Sequence, residues 1–179
     1  METFIQCAVP FGTQQGSIRS QFILSQDNIL IGAKGNAVLC DFGFSRIRHE
    51  ITRTRTLIRG GGHLRYLAPE LLLHSHKFRT TQASDIYSLG MTFLTLVTLE
   101  LPFAGLGHEY EAKRAAEQRI RPERPQKMNL ASTAENTMWI LLETMWRHEP
   151  EKRPGTLGVN DRLNEIFLCR SLRSGSGFA

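Results

Sequence analysis

The side chains that could do chemistry in this chain stand at the ends of short apolar runs and inside compact motifs. Asn28 comes just before Ile29-Leu30-Ile31, and Asp41 just after Ala37-Val38-Leu39-Cys40. Asp41 opens Asp41-Phe42-Gly43, and downstream come Ala68-Pro69-Glu70, then Ser84-Asp85-Ile86-Tyr87-Ser88-Leu89-Gly90, then Pro150-Glu151-Lys152-Arg153-Pro154. One tripeptide says little, because any tripeptide recurs by chance. A series of five motifs in a set order, counted from Asn28-Ile29-Leu30, does not. Other chemistries find less support. Cys7, Cys40 and Cys169 are odd in number and far apart, which argues against a disulfide framework or a zinc site and for a reducing compartment. His74 and His76 are two residues apart, the wrong spacing for sharing a helix face as ligands.

The elements that must position these residues follow from pattern. The two apolar runs around Gly32-Ala33-Lys34-Gly35-Asn36 predict a β-hairpin, with Gly and Asn supplying positive φ in the turn. Residues 43–62 are polar and rich in Thr and Arg, and close on Gly60-Gly61-Gly62, which predicts a mobile loop with its arginines solvated. Ser84 or Asp85 caps a predicted helix to about Thr98, apolar nearly all round and therefore central, with Pro102 as its stop. Glu109–Ile120 reads as a charged, exposed helix. Ala134–Arg147 reads as a third helix with Met138, Ile140, Leu141, Leu142, Met145 and Trp146 inward, and Val159–Cys169 as a last one with Leu163, Ile166 and Phe167 inward. The Ser/Gly-rich end predicts a disordered tail.

Bulk properties bound the class. The 179 residues are 41% hydrophobic and 22% charged, ordinary values for one soluble domain. The net charge of +5 comes with arginines bunched between Arg46 and Arg65 and no interleaved aromatics, so no nucleic-acid partner is expected. Leu89–Leu99 is too short to span a bilayer, the N-terminus lacks a signal-peptide pattern, and Glu2 excludes N-myristoylation. No membrane partner is expected, and the cytoplasm or nucleus is the expected location.

From about Asp27 to Cys169, these motifs resemble the C-terminal lobe of a eukaryotic protein kinase, most like the tyrosine-kinase-like serine/threonine group. The resemblance implies a mainly α fold with one small β-hairpin and no N-lobe. It divides the chain into a non-matching segment 1–26, a lobe 27–169 with its activation segment at 41–70, and a tail 170–179. It implies ATP and Mg2+ as cofactors and phosphoryl transfer to hydroxyls of a protein substrate, with Asn28 and Asp41 in the metal- and nucleotide-binding positions. By the same match, Phe42 and Gly43 are structural, Glu70 and Arg153 form the buried ion pair under the activation segment, and Asp85 anchors the catalytic-loop backbone. Gly62–Leu67 corresponds to the substrate-facing loop, with His63 where Thr is usual, and Tyr66 leans to the serine/threonine type. Thr52, Thr54 and Thr56, with Ser45, are possible phosphosites.

The departures are equally specific. Five residues before Asn28, the catalytic-base position holds Ile23, which accepts no proton. Phe22, Ser25 and Gln21 replace the family's Arg, Lys and His, and only Leu24 is kept. The Gly-rich phosphate loop and the Lys of Val-Ala-x-Lys find no counterpart upstream. No catalytic residue is therefore assigned, and binding of ATP and Mg2+ by this chain is expected to be weak or absent. The resemblance stops abruptly near Gln26, which is read as a truncation or a gene-model artefact rather than gradual drift. Three readings stand: a serine/threonine kinase represented by an incomplete chain, a pseudokinase-like protein-binding module, and a non-functional gene fragment.

Overall fold

The computed structural model describes residues 28–40, 64–73, 80–106 and 131–174, and between them residues 111, 114–115, 117–126 and 128. Strand β1 (Ile29–Ile31) pairs antiparallel with β2 (Ala37–Leu39), Ile29 opposite Leu39 and Ile31 opposite Ala37. The turn closes with the Gly32 N–H donating to Asn36 O at 2.7 Å and the Gly35 N–H to Gly32 O at 2.8 Å. Gly35 takes the left-handed φ of 76°, which costs glycine nothing. Asn36, expected to share that role, does not. Its side chain lies over Gly32 instead, where a Cβ would meet Asn36 Oδ1 at 2.7 Å.

The helices whose bounds are described are α1 (Pro69–Leu73), α2 (Gln82–Thr98), α3 (Thr133–Met145) and α4 (Thr156–Ser174), with 3-10 turns at Leu64–Tyr66 and Pro150–Lys152. Helix α2 starts earlier than Ser84 or Asp85 because Thr81 is its cap. Thr81 Oγ1 accepts the Ser84 N–H at 3.1 Å while Ser84 Oγ accepts the Thr81 N–H at 2.9 Å, a reciprocal capping box. It also ends before Pro102, at Leu99, which adopts a left-handed φ of 59° and donates its N–H to Thr95 O.

Helix α2 is the centre of the core, touching the Leu64–Tyr66 turn and α3, and α3 in turn packs on α4. Ile86, Met91, Phe93 and Leu94 are buried against Leu141, Leu142, Met145, Trp146, Val159 and Leu163 in one cluster. The polar residues that interrupt α2 are buried without loss. Ser88, Thr92, Thr95 and Thr98 each donate to the carbonyl one turn back, at 2.8 to 3.2 Å.

The inward face of α3 differs from the expected one: Trp139 is buried, edge-on to Trp146 with centroids 5.4 Å apart, and Ile140 faces solvent. The stretch before it is not a wholly exposed helix. Ala115 is buried, and the turn ends with Arg119 at φ 57° and the Ile120 N–H reaching Ala115 O, a left-handed C-terminal closure. Helix α4 begins at Thr156 and continues to Ser174, into the stretch 170–179 read as a disordered tail. No helix among the described residues is long and apolar enough to cross a membrane.

Candidate functional site

Asn28 is the described member of the expected metal pair. It is buried at the open end of the hairpin, and its carbonyl accepts the Cys40 N–H at 2.9 Å. The strand pairing thus runs one step past β1 and β2, setting Asn28 abreast of Cys40, whose chain neighbour is Asp41. Cys40 is half-buried. Asp41, Phe42 and Gly43 lie outside the described residues, as do Ile23, Ser45, Thr52, Thr54, Thr56, His74 and His76. By residue type, the Asn28 amide and the Asp41 carboxylate are oxygen donors of the kind that Mg2+ takes. Among the described residues, no cluster of three or more His, Cys, Asp and Glu could hold a metal.

The best-defined site is the socket of Arg153, whose side chain is fully buried. Its Nη1 and Nη2 donate to Glu70 Oε1 and Oε2, each at 2.7 Å, a bidentate pair joining residues 83 positions apart. Nη1 also donates to Ala83 O at 2.8 Å, Nη2 to His148 O at 3.3 Å and Nε to Arg147 O at 2.8 Å. All five guanidinium N–H groups are thereby used, and the group lies 5.1 Å from the centroid of the Tyr87 ring. One side chain ties α1, the start of α2 and the loop before α4 together. Burial pushes the Tyr87 phenol far above its ordinary pKa against the pull of Arg121 and Arg153, so it stays neutral. His148, at the rim, is held below its usual pKa by burial and by Arg119, Arg121 and Arg153, with Glu149 opposing.

Asp85 lies half-buried in the first turn of α2, where a carboxylate offsets the helix dipole. It does not cap α2 itself, and the catalytic-loop segment it was expected to anchor is outside the described residues. Tyr66 is buried on α2: its carbonyl accepts Ser88 Oγ at 2.8 Å and its hydroxyl lies 3.1 Å from Thr95 Oγ1.

Arg65, read from sequence as one of a run of solvated arginines, is buried. Its Nη1 donates to Pro102 O at 2.9 Å and Phe103 O at 2.6 Å, and its Nη2 to Leu106 O at 2.9 Å. Its position directly before the buried Tyr66 was the available signal that it leaves the polar run. The Arg121 bond to Trp146 O was not foreseeable, because its acceptor is backbone.

Known proteins place this arrangement. The protein kinase domain family matches residues 24–166, and the chain belongs to that family. It is 31% identical over 146 residues to the serine/threonine-protein kinase TNNI3K of Rattus norvegicus, covering 82% of this chain and 16% of that protein. It is 27% identical over 173 residues to the serine/threonine/tyrosine-protein kinase HT1 of Arabidopsis thaliana, covering 94% of this chain and 41% of that one. It is also 27% identical over 144 residues to the Arabidopsis thaliana serine/threonine-protein kinase CTR1, covering 80% and 16% respectively. The chain thus spans less than half the length of these curated relatives.

Proposed function

We propose that this chain carries the substrate-facing lobe of a protein serine/threonine kinase and that the 179-residue polypeptide does not transfer phosphate by itself. The observation that carries the first part is the Arg153 socket: a fully buried guanidinium with every donor used holds Glu70, four residues after the Leu64–Tyr66 turn that corresponds to the substrate-facing loop. The protein substrate class follows from the family. Bound Mg-ATP would supply the phosphoryl group and neutralise its charge, with Asn28 and Asp41 as the side chains that would hold the metal.

The second part rests on Ile23. A hydrocarbon at the base position cannot take the proton of an attacking hydroxyl, and Phe22, Ser25 and Gln21 remove its supporting cast. The same residues favour a second reading, a protein-binding module of pseudokinase type. With Mg-ATP and a generic basic protein, the polypeptide is expected to incorporate no phosphate above background. Incorporation that disappears in Asp41→Ala would overturn this. Titration calorimetry with Mg-ATP is expected to show no micromolar binding, since the sequence offers no Gly-rich phosphate loop and no Val-Ala-x-Lys lysine to pair the phosphates.

A further inference from the structure

We propose that Arg65 is a positioning residue that makes the 64–67 turn and the 99–106 loop a single mechanical unit. The loop leaves α2 in a costly shape. Leu99 and Phe103 both take left-handed backbone angles, φ 59° and 57°, which non-glycine residues adopt only when their surroundings over-determine them. The side chain of Leu99, 86% exposed, gains nothing from packing there. Beside the Thr98 hydroxyl bonds to Glu100 and the packing of Pro102 and Phe103, the Arg65 guanidinium holds the loop through the carbonyls of Pro102, Phe103 and Leu106 at 2.6 to 2.9 Å. A planar fork donating to three carbonyls of one loop fixes the path of that loop, because each N–H direction is set by the others. The Phe103 carbonyl also accepts the Leu106 N–H at 2.9 Å, so the loop closes on itself around the same atom.

The other end of Arg65 is equally fixed. The neighbouring Tyr66 is bonded to Ser88 and lies against Thr95 of α2, and the Leu67 N–H donates to Leu64 O at 3.2 Å. Turn, α2 and loop therefore form a closed triangle with Arg65 as the link between the two irregular sides. The consequence for a bound protein segment rests on the turn being substrate-facing: if it is, Arg65 sets its position without touching the substrate.

Amide hydrogen exchange followed by mass spectrometry on the 179-residue polypeptide tests the coupling. In Arg65→Met, the amides of Leu106 and Leu67 are expected to exchange together, faster by on the order of tenfold, while Trp146 and Val159 keep their protection. Arg65→Lys, which keeps the charge but not the fork, is expected to fall between, and carries the comparison should Arg65→Met fail to fold. Faster exchange in the loop alone, or a uniform rise across α3 and α4, would overturn the proposal. An immobilised array of Ser/Thr peptides probes the consequence. Capture lost in Arg65→Met and partly regained in Arg65→Lys supports it. Capture by all three proteins alike sinks the positioning role, and no capture by the unsubstituted chain sinks the substrate-facing reading, whatever exchange shows of the coupling.

Discussion

Glu70 and Arg153 are unequal partners, and that inequality decides what each substitution does. The Arg153 side chain is wholly buried whereas Glu70 keeps 23% of its side chain in solvent. Glu70→Ala strands a guanidinium with two donors unmet in the interior, and breaking a buried pair from one side costs about 3–5 kcal/mol. A lowering of the thermal midpoint by on the order of ten degrees is expected, since each kcal/mol moves a protein of this size by about 2–4 °C. Glu70→Gln, which still accepts one of the bonds, should fall well short of that. A pair worth nothing would leave all three midpoints together. His148, whose carbonyl belongs to the same socket, carries a pH signature. Its pKa is held below the ordinary 6.5 by burial first and by Arg119, Arg121 and Arg153 after it, so the folded state disfavours its proton. The folded state therefore binds less proton than the unfolded one. This share of stability is complete above the unfolded value and is lost as pH falls toward the lower, folded one. His148→Gln should flatten the fall in thermal midpoint between roughly pH 7 and 5. An identical slope in the variant would discard this account.

The elements meet at one crossing whose closeness is set by a single missing atom. A Cβ built on Gly90 of α2 would stand 3.0 Å from the Cβ of Met145 on α3. Gly90→Ala should gain about 0.5–1 kcal/mol of helix propensity and lose about 1–3 kcal/mol to overpacking, so net destabilisation is expected in chemical denaturation. Met145→Ala should not rescue it, because the obstructing Cβ remains. Gly105→Ala, with nothing within 4 Å, is the neutral control, and a stabilising Gly90→Ala would show the helices free to part. The crossing itself was not legible in sequence, where Gly90 reads as part of a motif. What was legible is what depends on local pattern: the hairpin from its two apolar runs, the three long helices from their periods, and the charged partners Glu70 and Arg153 from motif order. The misses have separate physical origins. Thr81 caps α2 with Ser84 bonding back to it, Trp139 rather than Ile140 is buried and packs edge-on to Trp146, and Arg65 is buried with carbonyls as its partners. Backbone acceptors have no signature in a list of side chains.

For the whole molecule, the question is how well this set of elements covers its own apolar surface. The core cluster accounts for most of α2, but Leu89, Leu96 and Val97 are only half-buried against it. On the hairpin, Leu30, Ile31 and Val38 are exposed among the described residues. Fully burying one such side chain is worth about 1.5–3 kcal/mol, so six incompletely covered ones together rival the 5–15 kcal/mol that a domain has in total. The Arg153 socket ties α1, the start of α2 and the loop before α4 together, whereas among the described residues the α2 face and the hairpin have no comparable tie. The purified 179-residue polypeptide is therefore expected to bind a hydrophobic dye in its native state and to melt over a broad range at low temperature. Placing a family-like segment with a His-Arg-Asp-Leu-Lys-Pro block and its preceding helix ahead of Asp27 should reduce dye binding and sharpen the melt. It should act chiefly on the protection of α2 amides, since that is the face such a helix would cover. A sharp, high-temperature transition with no dye binding by the unaltered polypeptide would show that its apolar surface is already satisfied. The protein-binding module would then be the stronger reading, because the polypeptide would be a self-sufficient fold.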